Sequence, residues 1–181
     1  MDGYVARLIN SQGDGSALTN STTPTSILPA QAKYTVPSGF LKSIGDQLLV
    51  KASGRISTVV TTPGTLTLDL RLGSVIIANG GAMTLSTSAK TNVAWSLEWL
   101  LTLRAVGASA NFMHQGTWWS EAAGATTVAG EAKAIKLPQS APAVGTSFDS
   151  TAAAVFDLFA TWSVANASNS IQCHQFSLLS L

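Results

Sequence analysis

Charge is what this sequence has least of. Only 10% of its 181 residues are Asp, Glu, Lys or Arg, against about 25% in an ordinary soluble domain. Ten basic and nine acidic side chains leave a formal net charge of +1, so no general basic field exists to attract nucleic acid. Lys133 and Lys136 are the only closely spaced lysines, and a solvated loop accounts for them. Cysteine is nearly absent: Cys173 stands alone, which excludes an intrachain disulfide framework and a multi-cysteine zinc site and suits a reducing cytoplasm. No apolar run approaches the ~20 residues of a membrane helix, so no membrane association is expected. MDGYVARLIN lacks the basic stretch followed by an apolar one that marks a secretory signal. Without that route the sequons at Asn20 and Asn166 are uninformative.

What is present is Ser and Thr, 42 of the 181 residues, and the β-branched Thr packs well on a pleated surface. Gln47–Gly73 carries the clearest pattern. Leu66, Leu68, Leu70 and Leu72 alternate with Thr65, Thr67, Asp69 and Arg71, a period of two that gives a strand one apolar and one polar face. The signature recurs, predicting strands near 47–60, 65–73, 75–79, 81–87, 94–106, 110–120, 131–137, 155–166 and 170–180. Asn79-Gly80 is the best hairpin turn by composition. Trp95, Leu97, Trp99, Leu101 and Leu103 share one face of a central strand. Together with Phe156, Leu158, Trp162, Val164 and the four leucines they are the expected inner faces. Phe148–Ala160 is expected to open with a short helical turn at most, capped by Asp149 or Ser150. The fold class is therefore all-β: an antiparallel β-sandwich, a jelly roll of about eight strands, with an extended N-terminal arm.

Residues 1–39 are that arm and residues 40–181 the sandwich. The arm holds prolines 24, 29 and 37 and a Ser/Thr tract at 19–26, yet keeps Val5, Leu8, Ile9, Ile27 and Leu28. A disordered tail has little use for such residues, so Leu8, Ile9, Ile27 and Leu28 are expected to anchor the arm. The arm would reach its own domain or a neighbouring subunit, and deleting residues 1–30 should then leave a folded sandwich.

Chemistry is hard to find. His114 and His174 have no carboxylate in their own strands at a spacing that would orient the ring. Cys173 and His174 are adjacent in a strand and point to opposite faces. The nine carboxylates are scattered; Asp69 with Arg71, and Glu98 with Arg104, read as charge clusters on an outer face. No catalytic, cofactor-binding or metal-ligating residue is assigned, and no cofactor is implied. Trp118-Trp119 is the sharpest positive feature. Consecutive strand residues face opposite sides, so one Trp leaves the core unless the loop at 120–131 folds over it.

The runs LLVKASGRISTVVTTPGTLTLDLRLG, NGGAMTLSTSAKTNVAWSLEWLLTLRAVG and FATWSVANASNSIQCHQFSLLSL, with DGSALTNSTTPTSILPAQAKYTVPSGF before them, resemble small virion structural proteins of tailed bacteriophages over residues 3–181. The resemblance implies a sandwich that decorates a capsid or belongs to a tail or fibre, frequently as a trimer. It brings no functional residue with it. The first reading is a non-enzymatic virion structural protein, assembled in the host cytoplasm. As a capsid decoration or cement protein it would bridge subunits of the major capsid protein, or bind another virion protein, as a homotrimer. The alternative is a tail-fibre or receptor-binding module gripping a host-surface glycan through Trp118 or Trp119. A glycan hydrolase using the scattered carboxylates is the third.

Overall fold

The alternation is realised as two antiparallel sheets packed face to face, in a computed structural model that describes residues 5–124 and 130–181. The strands are β1 (Ala6–Asn10), β2 (Leu18–Thr19), β3 (Thr25–Ser26), β4 (Tyr34–Val36), β5 (Gln47–Thr58), β6 (Thr65–Leu72), β7 (Val75–Asn79), β8 (Met83–Thr84), β9 (Lys90–Ala105), β10 (Asn111–Ser120), β11 (Lys133–Leu137), β12 (Ala154–Trp162) and β13 (Ser170–Ser180). Two 3-10 turns, at 30–32 and 107–109, are the helical segments among the described residues.

The larger sheet runs β1-β13-β5-β9-β10-β11, with β2 also on β13. The smaller runs β3-β12-β6-β7, with β4 on β12 and β8 on β6. β5 pairs with β13 and β6 with β12, so the β5–β6 and β12–β13 connections cross between the sheets side by side. This double crossing closes the sandwich around one core.

The inner faces follow period two. The four leucines of β6, the five expected residues of β9, and Phe156, Leu158 and Trp162 of β12 are all buried. Packing Trp99 needs space, and β10 supplies it by having no side chain opposite: a Cβ on Gly116 would lie 2.8 Å from the Trp99 ring. Val164 is the exception among the expected inner residues. β12 ends at Trp162, the chain leaves the sheet to cross to β13, and Val164 is 39% exposed.

Asn79-Gly80 is not a hairpin. β6 and β7 are joined through Gly73-Ser74, with Leu72 opposite Val75 and Gly73 at φ +59°, the left-handed conformation such a turn requires. Beyond Asn79 the chain keeps its direction, and β8 pairs with the first residues of β6 along the same edge. Asn79 and Gly80 therefore break one edge strand; Asn79 Oδ1 accepts from Gly81 N at 2.8 Å. The strand expected over 81–87 shrinks to β8 for that reason. Lys133 and Lys136 lie on β11 rather than in a loop. The turn expected before β12 is present, with Asp149 Oδ1 accepting from Thr151 N at 2.8 Å.

Residues 5–39 are laid along both sheets. β1 and β2 extend the larger sheet at β13, while β3 and β4 extend the smaller at β12. Ile27 and Leu28, expected to anchor the segment on its own domain or a neighbour, are buried in the chain's own core. Leu8 and Ile9 are half-buried against that core. Close approach makes this possible: a Cβ on Gly15 would come within 1.8 Å of Ile27 O.

Candidate functional site

β10 distributes its side chains by parity. Phe112, His114, Gly116 and Trp118 point inward, and Gln115, Thr117 and Trp119 point outward. Trp118 is fully buried, which removes it as a contact residue, while Trp119 is 36% exposed. Its neighbours across the strands are Ser96 of β9 and Ala134 of β11. Both are small, and the indole lies on the outer face of the larger sheet with about a third of its surface open to solvent.

Two shallow depressions flank that ring. One, of about 310 Å³, is lined by Lys51, Ser53, Ser96, Glu98 and Gln175 together with Trp119. The other, of about 220 Å³, is lined by Glu98, Gln115, Thr117 and Lys136 with the same Trp. Polar side chains here are held by one another. Lys51 Nζ lies 3.1 Å from Glu98 Oε2, Ser53 Oγ donates to Gln175 Oε1 at 2.9 Å, and Lys136 Nζ donates to Thr117 Oγ1 at 3.0 Å. Register brings five strands' residues to one aromatic platform. Parity with Trp119 singles out Gln115 and Thr117 from the sequence, but Lys51, Glu98 and Gln175 join only through pairing.

The remaining candidates lie elsewhere. His114 is buried, and its Nδ1 accepts from Trp99 Nε1 at 3.2 Å; burial lowers the imidazole's pKa. His174 does have a carboxylate partner, Asp14 Oδ1 at 2.8 Å, supplied by the N-terminal segment. A β-bulge between Cys173 and Gln175 displaces His174 from regular pairing. Cys173 is buried, which pushes its thiol up to about 12, so the thiolate needed for nucleophilic attack is scarce at neutral pH.

Asp69 and Asp157 lie on paired strands, on the outer face of the smaller sheet. They are occupied: Lys33 Nζ lies 2.8 Å from Asp157 Oδ2, and Arg71 pairs with Asp69 while its guanidinium carbon sits 3.9 Å over the Phe159 ring. Neither lines the Trp119 depressions. Among the described residues no three His, Cys, Asp or Glu side chains converge as a metal site, and no helix is long and apolar enough to cross a membrane.

No protein-family model matches the chain, and no curated protein does. Two solved structures show a distant likeness. One is the CBM2 module of the evolved Dit of Lactobacillus casei BL23 phage J-1, 9% identical over 97% of this chain and 95% of that one, with a TM-score of 0.36. The other is a protein of unknown function from Shewanella oneidensis MR-1, 14% identical over 97% of this chain and 77% of that one, with a TM-score of 0.35. Both likenesses are distant.

Proposed function

We propose that this chain is a glycan-binding β-sandwich module of a phage particle, acting by contact rather than catalysis, with Trp119 as the platform on which a sugar ring stacks. The exposed indole between two polar depressions is the observation that carries this reading. An aromatic face offers apolar area to the C–H surface of a pyranose at little entropic cost, because Trp has few rotatable bonds. Glu98, Gln115, Gln175, Lys51 and Lys136 line the depressions beside it with donors and acceptors, and such convergent polar groups set orientation and specificity. The capsid-decoration reading has less behind it, since Ile27 and Leu28 of the N-terminal segment are interior and so are not available to bridge capsid subunits. A virion location is supported by the resemblance of the sequence to phage structural proteins, and attachment would run through a capsid or other virion protein.

A homotrimer or another small cyclic oligomer belongs to the same proposal, because so weakly charged a surface has little electrostatic defence against self-association. Sedimentation equilibrium should show that species at micromolar concentration; monomer alone would remove this part of the reading.

The direct test is a glycan array followed by titration calorimetry on the best ligand. Trp119→Ala should weaken binding at least tenfold, about 1.4 kcal/mol, and Trp119→Phe should keep part of it. An array with no ligand, or a Trp119→Ala variant that binds as well as the parent, overturns the proposal.

A further inference from the structure

The inner face of β10 carries a second site. His114 is 5% exposed, and Trp99 Nε1–H occupies its Nδ1. A neutral imidazole that accepts at Nδ1 must carry its proton on Nε2. That Nε2–H has no hydrogen-bond partner among the described residues, and it is not among their sealed, unpartnered polar atoms, so it faces open space. The ring lines an open cleft of about 290 Å³ between β7, β10 and residues 138–146, into which that donor is free to reach.

The walls are held in place. Gln139 N donates to Gly80 O at 3.1 Å, and Gly145 N donates to Phe112 O at 2.8 Å. Gly145 lies so close to β7 that a Cβ would be 2.1 Å from Ile77 O. Beyond it, Phe148 stacks on Phe112 with centroids 5.1 Å apart. The cavity is thus preformed, pinned at both ends of the segment that covers it.

Its lining defines the ligand. None of the lining residues is an acid, Lys or Arg, and His114 is kept neutral, so a charged ligand would find no counter-ion. Asn79 spends its Oδ1 on Gly81 N, leaving its amide protons, so His114 and Asn79 both present donors. Ser140 and Thr146 add hydroxyls, and Ile76, Pro138 and Val144 add an apolar wall. We infer that this cavity binds the acetamido group of an N-acetylated amino sugar, its carbonyl oxygen accepting from His114 Nε2–H and its methyl group against the apolar wall. The volume sits at the small end of ligand cavities, about 300 Å³ upward, which suits a single sugar ring in the cleft. This inference is independent of Trp119, which points out of the opposite face of the same strand.

The test follows imidazole and side-chain amide resonances by NMR as N-acetylglucosamine is added, with glucose in parallel. His114 and Asn79 signals should shift saturably with N-acetylglucosamine and at least tenfold more weakly with glucose. Ala143→Trp, at an exposed lining position, should plug the mouth and abolish the shifts while the amide spectrum stays folded; Trp119→Ala should leave them intact. The inference is overturned if no shift appears up to about 50 mM, beyond the millimolar affinity of so small a ligand. It is equally overturned if glucose or a short acetylated peptide shifts the signals as well as N-acetylglucosamine does, if the shifts survive Ala143→Trp, or if Trp119→Ala removes them.

Discussion

The two outer faces of the sandwich begin from the same pattern and end differently. TLTLDLRL of β6 and WSLEWLLTLR of β9 both alternate leucine or tryptophan with polar residues. On the larger sheet the polar side chains meet solvent, and the Lys51–Glu98 pair stays more than half exposed on both sides. On the smaller sheet the N-terminal segment lies beside the equivalent face, and Asp69 and Asp157 are 3% and 6% exposed. Asp157 is gripped three ways there, by Lys33 Nζ, by Ser26 Oγ at 2.8 Å and by Leu158 N at 2.8 Å. One face is therefore free to bind a ligand, while the other is consumed in holding the chain to itself. A charged residue on a polar strand face says nothing of its own energetics until the covering element is known.

The largest blow to this comparison would come from removing the N-terminal segment. Deleting residues 1–30 takes away Leu18, Ile27 and Leu28, all buried, each contributing roughly 1.5–3 kcal/mol. A loss of about 5 kcal/mol or more is expected, comparable to a domain's whole stability. The truncated chain should be unfolded or molten by circular dichroism. A cooperative urea transition near that of the full chain would instead make the segment a removable arm, as its composition alone suggests.

Next in size is the contrast between the two ion pairs. Asp157→Ala should cost about 2–3 kcal/mol, because it strands Lys33 and the Ser26 hydroxyl and loses a backbone bond, with a discount for the partly exposed lysine. Glu98→Ala should cost less than about 1 kcal/mol, as exposed pairs do. Equal urea midpoint shifts for the two variants would abolish the distinction between the faces.

A smaller effect sharpens the interior. Burial holds the His114 pKa below the ordinary imidazole value of about 6.5, so the unfolded chain takes up this proton before the folded one. The contribution of neutral His114 is intact above about pH 6.5 and is lost as pH falls below it. Protonation also removes the lone pair that accepts from Trp99. The urea midpoint should fall between pH 7.5 and pH 5, and His114→Gln should fall less over the same range. Parallel curves for the two proteins would show that His114 does not titrate in this window.

Trp119 is the next residue to test, as its role is set apart from folding by the third of its surface left open to solvent. Trp119→Ala should shift the thermal midpoint slightly while abolishing glycan binding. A large destabilisation would mean that the indole is structural rather than displayed.

The inner faces were legible because facing along a strand is a local property. Period two places Leu66, Leu68, Leu70, Leu72 and the odd-numbered residues of β9 on one side whatever the rest of the chain does. Even the choice between the tryptophans was written in β10, where Trp118 shares parity with the apolar Phe112 and Trp119 with Gln115. The candidate site was half visible on the same ground, as one aromatic and its own strand's polar residues. Lys51, Glu98 and Gln175 were not, because they belong to strands distant in sequence.

What the amino-acid sequence determined by itself is thus the class of fold, the strands and their facing, all set by side-chain alternation within a few residues. Tertiary structure alone decided which polar face is covered, that β7 and β8 share one edge across Asn79-Gly80, that Asp14 meets His174, and that His114 opens on a cavity. The physical reason is the same in each case: strand pairing and loop packing bring together residues far apart in the chain, and their burial and hydrogen-bond partners depend on that meeting rather than on any neighbour in sequence.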